Sequence, residues 1–167
     1  MTRLTAAPAL FALALLALAG CAAPAAEPTP TATPEDSGVC EQVSVVVDFG
    51  PLDEPAVEAC ATAGAATDIL DEAGVTTEGT VDYGDQVVCR VNDEPAPDET
   101  VTIDGQEPFV ESCETLNSAA YWALWVKNTP DGDWEYAQEG VSTLELVDGQ
   151  SVGLVYTPGT DSTPPKG

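Results

Sequence analysis

"AAYWALWVKNTPDGDWEY", residues 119–136, holds all three tryptophans and two of the four tyrosines of the chain. In "YWALWV", Tyr121, Ala123 and Trp125 point one way and Trp122, Leu124 and Val126 the other, because successive side chains of a strand alternate. Both sets are apolar, so the stretch reads as a central strand covered on two sides. "NTPDGD" is a turn, with Asp131-Gly132 as its pair. "WEYAQ" returns with Trp134 and Tyr136 on one face and Glu135 on the other. The aromatics are therefore first the core of a hairpin. Those at its mouth, Trp134 and Tyr136, are the ones expected to reach the surface, where flat rings stack on planar or apolar ligands.

The flanking sequence supplies partners for such a strand. "QVSVVVDFG", residues 42–50, is β-branched and apolar, a mostly buried strand. "PLDEP" turns the chain, and "AVEAC" alternates as a second strand. In "AATDILDEAG", Ala66, Ile69, Leu70 and Ala73 recur at helical spacing and Gly74 is placed to stop the helix. "GTVDYGDQVVCRV" predicts two short strands around Gly84-Asp85. The polar, proline-broken residues 92–117 predict a loop with one weak strand at Thr100–Ile103. "STLELVDGQSVGLVY" predicts a closing hairpin around Asp148-Gly149. One helix and six to eight short strands, in the order ββα and then mostly β, give an α+β domain with a helix laid across a mixed sheet.

Outside this domain, expected over residues 39–157, the chain changes character. "MTRLTAAPALFALALLALAGC" has one cation, Arg3, and an apolar run from Ala9 to Ala19. That run is short for a membrane span and suits a signal peptide over residues 1–20. Leu18-Ala19-Gly20-Cys21 resembles a bacterial lipobox, which implies cleavage before Cys21 and acylation there; a plain secretory signal is the alternative. Several acyl chains together give stable membrane attachment. Residues 21–38, rich in Pro, Ala and Thr, predict a disordered, lipid-anchored tether, and residues 158–167 a disordered tail. Together these put the domain on the extracytoplasmic face of the cell membrane.

Twenty-nine acids face four bases, a formal net charge of −25, and loss of Arg3 with the leader makes the mature chain one unit more negative. Such a surface repels nucleic acid phosphates and anionic headgroups, so no nucleic-acid partner is expected and the acyl chains carry the bilayer contact. Cys21 aside, an even number of cysteines remains: Cys40, Cys60, Cys89 and Cys113. In an exported chain they predict two disulfides. Of the three connectivities, Cys89–Cys113 is preferred because it closes the weakly structured loop, and Cys40–Cys60 because it fastens the first strand to the segment after its turn. A zinc site is disfavoured: no CxxC and no histidine are present.

The order of elements, with "SVVVDFG", "ATDILDEAGV", "VVCRV", a later cysteine, "AYWALWVKNTPDGDWEY" and "VDGQSVGLVY", resembles the transcobalamin-like C-terminal domain family over about residues 42–156. The resemblance implies a small β-grasp-like sheet with one helix, in an exported or surface-anchored bacterial protein. It implies a binding role, with cobalamin as the most specific ligand and no cofactor. In the vertebrate carriers this domain covers one face of the corrinoid and a separate helical domain covers the other; no such helical domain is read here.

The residue chemistry favours binding over catalysis. Without histidine there is no Ser-His or Cys-His arrangement and no imidazole general base. Adjacent acids such as Asp53-Glu54, Asp71-Glu72 and Asp93-Glu94 follow from composition. Asp131-Gly132-Asp133 offers weak calcium ligation, with a solvated turn the simpler reading. The candidate ligand-binding residues are Trp134, Tyr136, Trp122, Tyr121 and Arg90. For Arg90, beside Cys89 on a strand, an ion pair is the alternative; Lys127 is expected to be solvated. The chain is thus expected to be a non-enzymatic, membrane-anchored binding domain, capturing a corrinoid or another flat small ligand for a membrane transporter. The alternative is a protein-interaction module of the cell envelope. An acidic calcium-responsive domain ranks third.

Overall fold

The computed structural model describes residues 40–159, 161 and 163–166. The signal peptide, Cys21 and the tether lie outside the described residues. The elements are β1 (Val43–Asp48), a single 3-10 turn (Gly50–Leu52), β2 (Val57–Ala61), β3 (Gly64–Ala65), α1 (Ala66–Glu72), β4 (Thr77–Thr80), β5 (Gly84–Val91), β6 (Ala120–Lys127), β7 (Trp134–Tyr136), β8 (Glu145–Leu146) and β9 (Ser151–Pro158). Among the described residues, nine strands exceed the expected six to eight because two of them, β3 and β8, are two residues long. The α+β expectation is met: one helix packs on a five-stranded mixed sheet of order β2-β1-β9-β6-β7.

β1 and β9 lie side by side and parallel, with Val45 opposite Val152, while β2 on β1, β6 on β9 and β7 on β6 are antiparallel. Counting only the strands of this sheet, the spatial order is 2-1-5-3-4 with the first and last parallel at its centre, a β-grasp-like arrangement. A parallel pair needs a long crossover. Here the crossover carries α1, whose Ala66, Ile69 and Leu70 are buried. The helix stops where it must: Gly74 takes a φ of +72°, its N–H reaches Asp71 O at 2.9 Å and the Val75 N–H reaches Leu70 O at 2.8 Å. That is a Schellman closure, with the apolar Leu70–Val75 pair that usually accompanies it.

On the inner face, towards α1, Val43, Val45 and Val47 of β1, Trp122 of β6 and Val152, Leu154 and Tyr156 of β9 join Ile69, Leu70, Val88 and Val91 in one core. Leu124 and Val126 pack against it, so the two-sided alternation read from "YWALWV" holds. The outer face is a separate, smaller cluster: Ala123, Trp125 and Val155, with Tyr121 and Trp134 packed beside them.

Three expectations need correction. The closing hairpin does not form: β8 pairs with β3, because both edges of β9 are already taken by β1 and β6. The turn at Asp148-Gly149 is real, with Gly149 at φ +82°, but it hands the chain from a small sheet to the large one. The β4–β5 turn runs through Val81–Tyr83 rather than being centred on Gly84-Asp85, and the weak strand near Thr100 is a single bridge, Val101 to Phe109. β9 runs to Pro158, and beyond it Asp161 accepts from the Thr163 N–H and hydroxyl at 3.0 and 2.6 Å, while Pro165 is buried.

Both preferred disulfides are present, Cys40–Cys60 and Cys89–Cys113. The second closes a loop of 24 residues' separation whose own contribution to the core is chiefly Val101 and Ile103. In the chain-entropy account, a cross-link over a loop of that length contributes about 3 kcal/mol.

Candidate functional site

Alternation along β6 divides the predicted ligand residues between two environments. Trp122 faces inward and is 4% exposed. Phe49 meets it edge-on at 5.3 Å and Tyr156 at 5.4 Å, and its indole N–H donates to Glu94 O at 3.1 Å. It is first a core residue, and it also borders the cleft beside β6 described below. Arg90 needs correction. It is 6% exposed; its Nε donates to Pro95 O (2.8 Å), Nη1 to Glu78 Oε2 (2.9 Å) and Cys113 Sγ (2.7 Å), and Nη2 to Glu111 O (2.9 Å). Four of the five guanidinium N–H groups are engaged in joining β4, β5 and the disulfide loop, a role for which its planar donors suit it. The ion pair that was its alternative is the one observed.

Tyr121, Trp134 and Tyr136 do share the outer face. Tyr136 lies opposite Trp125 across the β6–β7 pair, and Trp134 opposite Lys127. The Trp125 and Tyr136 rings stack with centroids 4.0 Å apart and planes 26° apart. Lys127 Nζ stands 4.8 Å from the Trp134 ring centroid, a cation–π contact where plain solvation was expected. Partial burial, then the neighbouring Tyr121 hydroxyl and the charge of Asp161, push the Tyr136 hydroxyl up to about 12.

β7 has three residues against the eight of β6, and its pairing covers only Trp125–Lys127. The first half of β6 is left without a strand on that side. A cleft of about 290 Å³ opens there, lined by Leu116, Tyr121, Ala123, Tyr136, Gln138 and Val141 among others. Leu116 is 48% exposed; nothing in the polar loop that carries it marked it out in the sequence. A wider cleft of about 600 Å³ lies between Pro51, Ile103 and Pro158, with Asp53, Asp104 and Asp161 on its walls. It has no aromatic wall, and the smaller cleft is the better-formed site for an apolar or flat ligand.

Gly153 and Pro165 were also missed. A Cβ at Gly153 would overlap Pro165 Cγ and press on the Trp134 ring at 3.2 and 3.3 Å. A glycine inside an otherwise apolar strand is the sequence signal of such a close approach. Among the described residues, Cys89, Glu111 and Cys113 are the one close trio of metal-ligating types. Its sulfurs are joined as a disulfide, and the Glu111 carboxylate accepts from Cys113 N–H (3.0 Å) and Asn117 Nδ2 (3.1 Å), so the trio is structural. At Asp131-Gly132 the Gly132 N–H closes a turn on Thr129 O at 2.9 Å. The arrangement offers rings, hydroxyls and an apolar rim for binding. No family model, curated protein or solved structure matches the chain.

Proposed function

We propose that this protein is an extracytoplasmic binding domain, held at the cell membrane by an acylated Cys21, that captures a flat small ligand for uptake through a membrane transporter. The single observation that carries the reading is the open cleft at the uncovered half of β6, where Leu116, Tyr121 and Tyr136 meet. Tyrosine rings provide stacking area and their hydroxyls orient a ligand's polar rim. The two disulfides fit an oxidising, exported location. The lack of histidine in the sequence and the engagement of the Arg90 guanidinium within the fold support binding over turnover.

The likeness of the sequence to transcobalamin-like C-terminal domains makes a corrinoid the most specific ligand in this class. At about 290 Å³ the cleft is at the small end for ligand sites. It suits one edge of a corrinoid, the remainder lying on the sheet or under a second protein. The test is calorimetric titration of cobalamin into the mature chain. Saturable binding at micromolar or tighter that is lost in Tyr136→Ala and weakened in Leu116→Asp supports the reading; a flat titration overturns it.

A protein-interaction module of the cell envelope is the second reading. One observation favours it: the outer face of the sheet already accepts a peptide segment, the chain's own Pro165.

A further inference from the structure

The outer face of the sheet is closed by the end of the chain itself. Gly153 of β9 lies opposite Trp125 of β6, and its missing side chain makes a slot in the sheet surface. Pro165 fills that slot and the six-membered ring of Trp134 forms its wall. Pro165 is buried, although the residues on either side of it are exposed. A proline ring against a tryptophan, over a bare strand backbone, is the chemistry by which aromatic-lined grooves read proline-rich segments. Proline brings no N–H to desolvate and little conformational entropy to lose, so a small contact is enough.

We propose that this face is a docking groove for a proline-rich segment of a partner protein ending in a basic residue, and that the C-terminal Thr163–Lys166 segment occupies it in cis. Three observations fix the occupant's chemistry. The slot is filled by the second proline of Thr-Pro-Pro-Lys. That segment ends in Lys166, one of only four basic residues set against twenty-nine acids, and a base beside the slot is what so acidic a surface favours. The indole N–H of Trp125 is buried on this face with no acceptor among the described residues, Thr163–Lys166 included, so a partner segment that brings a peptide carbonyl there makes a bond the cis segment lacks. The cis segment is short and joined to β9 by a turn at Asp161, so a partner segment with more contacts displaces it by competition rather than by unfolding.

The test uses the full mature chain, with Cys21→Ser to keep it out of the membrane, and a second form that also carries Pro164→Ser and Pro165→Ser to vacate the slot. The probe is the synthetic hexapeptide STPPKG, with STAAKG as control, read by calorimetry and by the Trp134 indole proton resonance. The vacated form is expected to bind STPPKG about tenfold or more tighter than the intact form, since a tethered segment competes at millimolar effective concentration, and to ignore STAAKG. Adding Gly153→Ala to the vacated form is expected to abolish binding while its circular dichroism and a cooperative urea transition are retained, the midpoint moving only by what the Cβ contact with Trp134 imposes. Equal binding of both peptides, or of neither, overturns the proposal, as does a bound peptide that leaves the Trp134 resonance unmoved. A vacated form that gains cobalamin binding and no peptide binding also overturns it, while leaving the corrinoid reading standing. Peptide binding with a flat cobalamin titration does the reverse.

Discussion

The two faces of β6 carry tryptophans three residues apart, and the environments they meet are opposite. On the inner face Trp122 is held by Phe49, Tyr156 and a hydrogen bond to Glu94 O, within a core drawn from α1, β5 and the disulfide loop. On the outer face Trp125 and Trp134 belong to a cluster with only three fully buried members, closed by Tyr136 and a few residues of tail. Strand alternation makes the two sets equivalent in sequence. The number of distant segments that arrive on each side makes them unequal in energy.

That inequality is open to direct attack. Trp122→Ala is expected to cost about 4 kcal/mol, the usual range for truncating a buried large aromatic. Trp134→Ala, at a half-buried position, is expected to cost about 1 kcal/mol. Urea unfolding of both variants with the disulfides intact compares them; equal losses would mean that the outer face is as much core as the inner one.

Arg90→Ala is expected to cost about 3 kcal/mol, because it strands the buried carbonyls of Pro95 and Glu111. Glu78→Ala removes the other half of the same ion pair, but the Glu78 side chain is 57% exposed, so its loss is expected to stay within about 1 kcal/mol. The same unfolding series reads both, and a reversed order would show that Arg90 acts through charge rather than through its carbonyl contacts. Replacing Cys89 and Cys113 together by serine is expected to cost about 3 kcal/mol and to raise amide exchange in residues 92–117 above that of the sheet.

The smallest effect belongs to the outer face alone. The Tyr136 hydroxyl titrates at about 12 in the fold against an ordinary 10.0, so folding favours its neutral form. That stabilisation is complete below pH 10 and is lost as the pH climbs towards about 12. Tyr136→Phe is expected to flatten this part of the alkaline unfolding profile. Tyr156 is also pushed up, by burial and then by the charges of Glu111 and Glu99, and its contribution is expected to persist in that variant. A profile unchanged by Tyr136→Phe would remove Tyr136 from the alkaline transition.

Much of the inner layer was legible. The spacing of Ala66, Ile69 and Leu70 gave the helix and its buried side, and Gly74 its end. Alternation in "QVSVVVDFG" and "YWALWV" gave the core-facing residues of β1 and β6. Cysteine positions and loop length gave both disulfides. The candidate site was legible only in part. Trp134 and Tyr136 were placed on one face of their strand and Tyr121 beside Trp125 on one face of its own, but that these faces coincide came from the strand pairing, and Trp122 and Arg90, grouped with them by residue type, are both buried. Leu116 sits in a polar loop without periodicity, and its place at the cleft comes from where β7 happens to stop.

By itself the sequence determined local geometry: which residues alternate, which turn, which cap and which cross-link, since each rests on contacts within a few residues or on thiol chemistry. Only the tertiary structure decided the partners. β9 was taken by β1 and β6 instead of β8, Arg90 was enclosed by four acceptors from three segments, and a glycine in β9 became the seat of a proline beyond the strand's end. These outcomes depend on segments far apart in the chain competing for the same strand edge or the same patch of surface, and that competition leaves no period in the sequence.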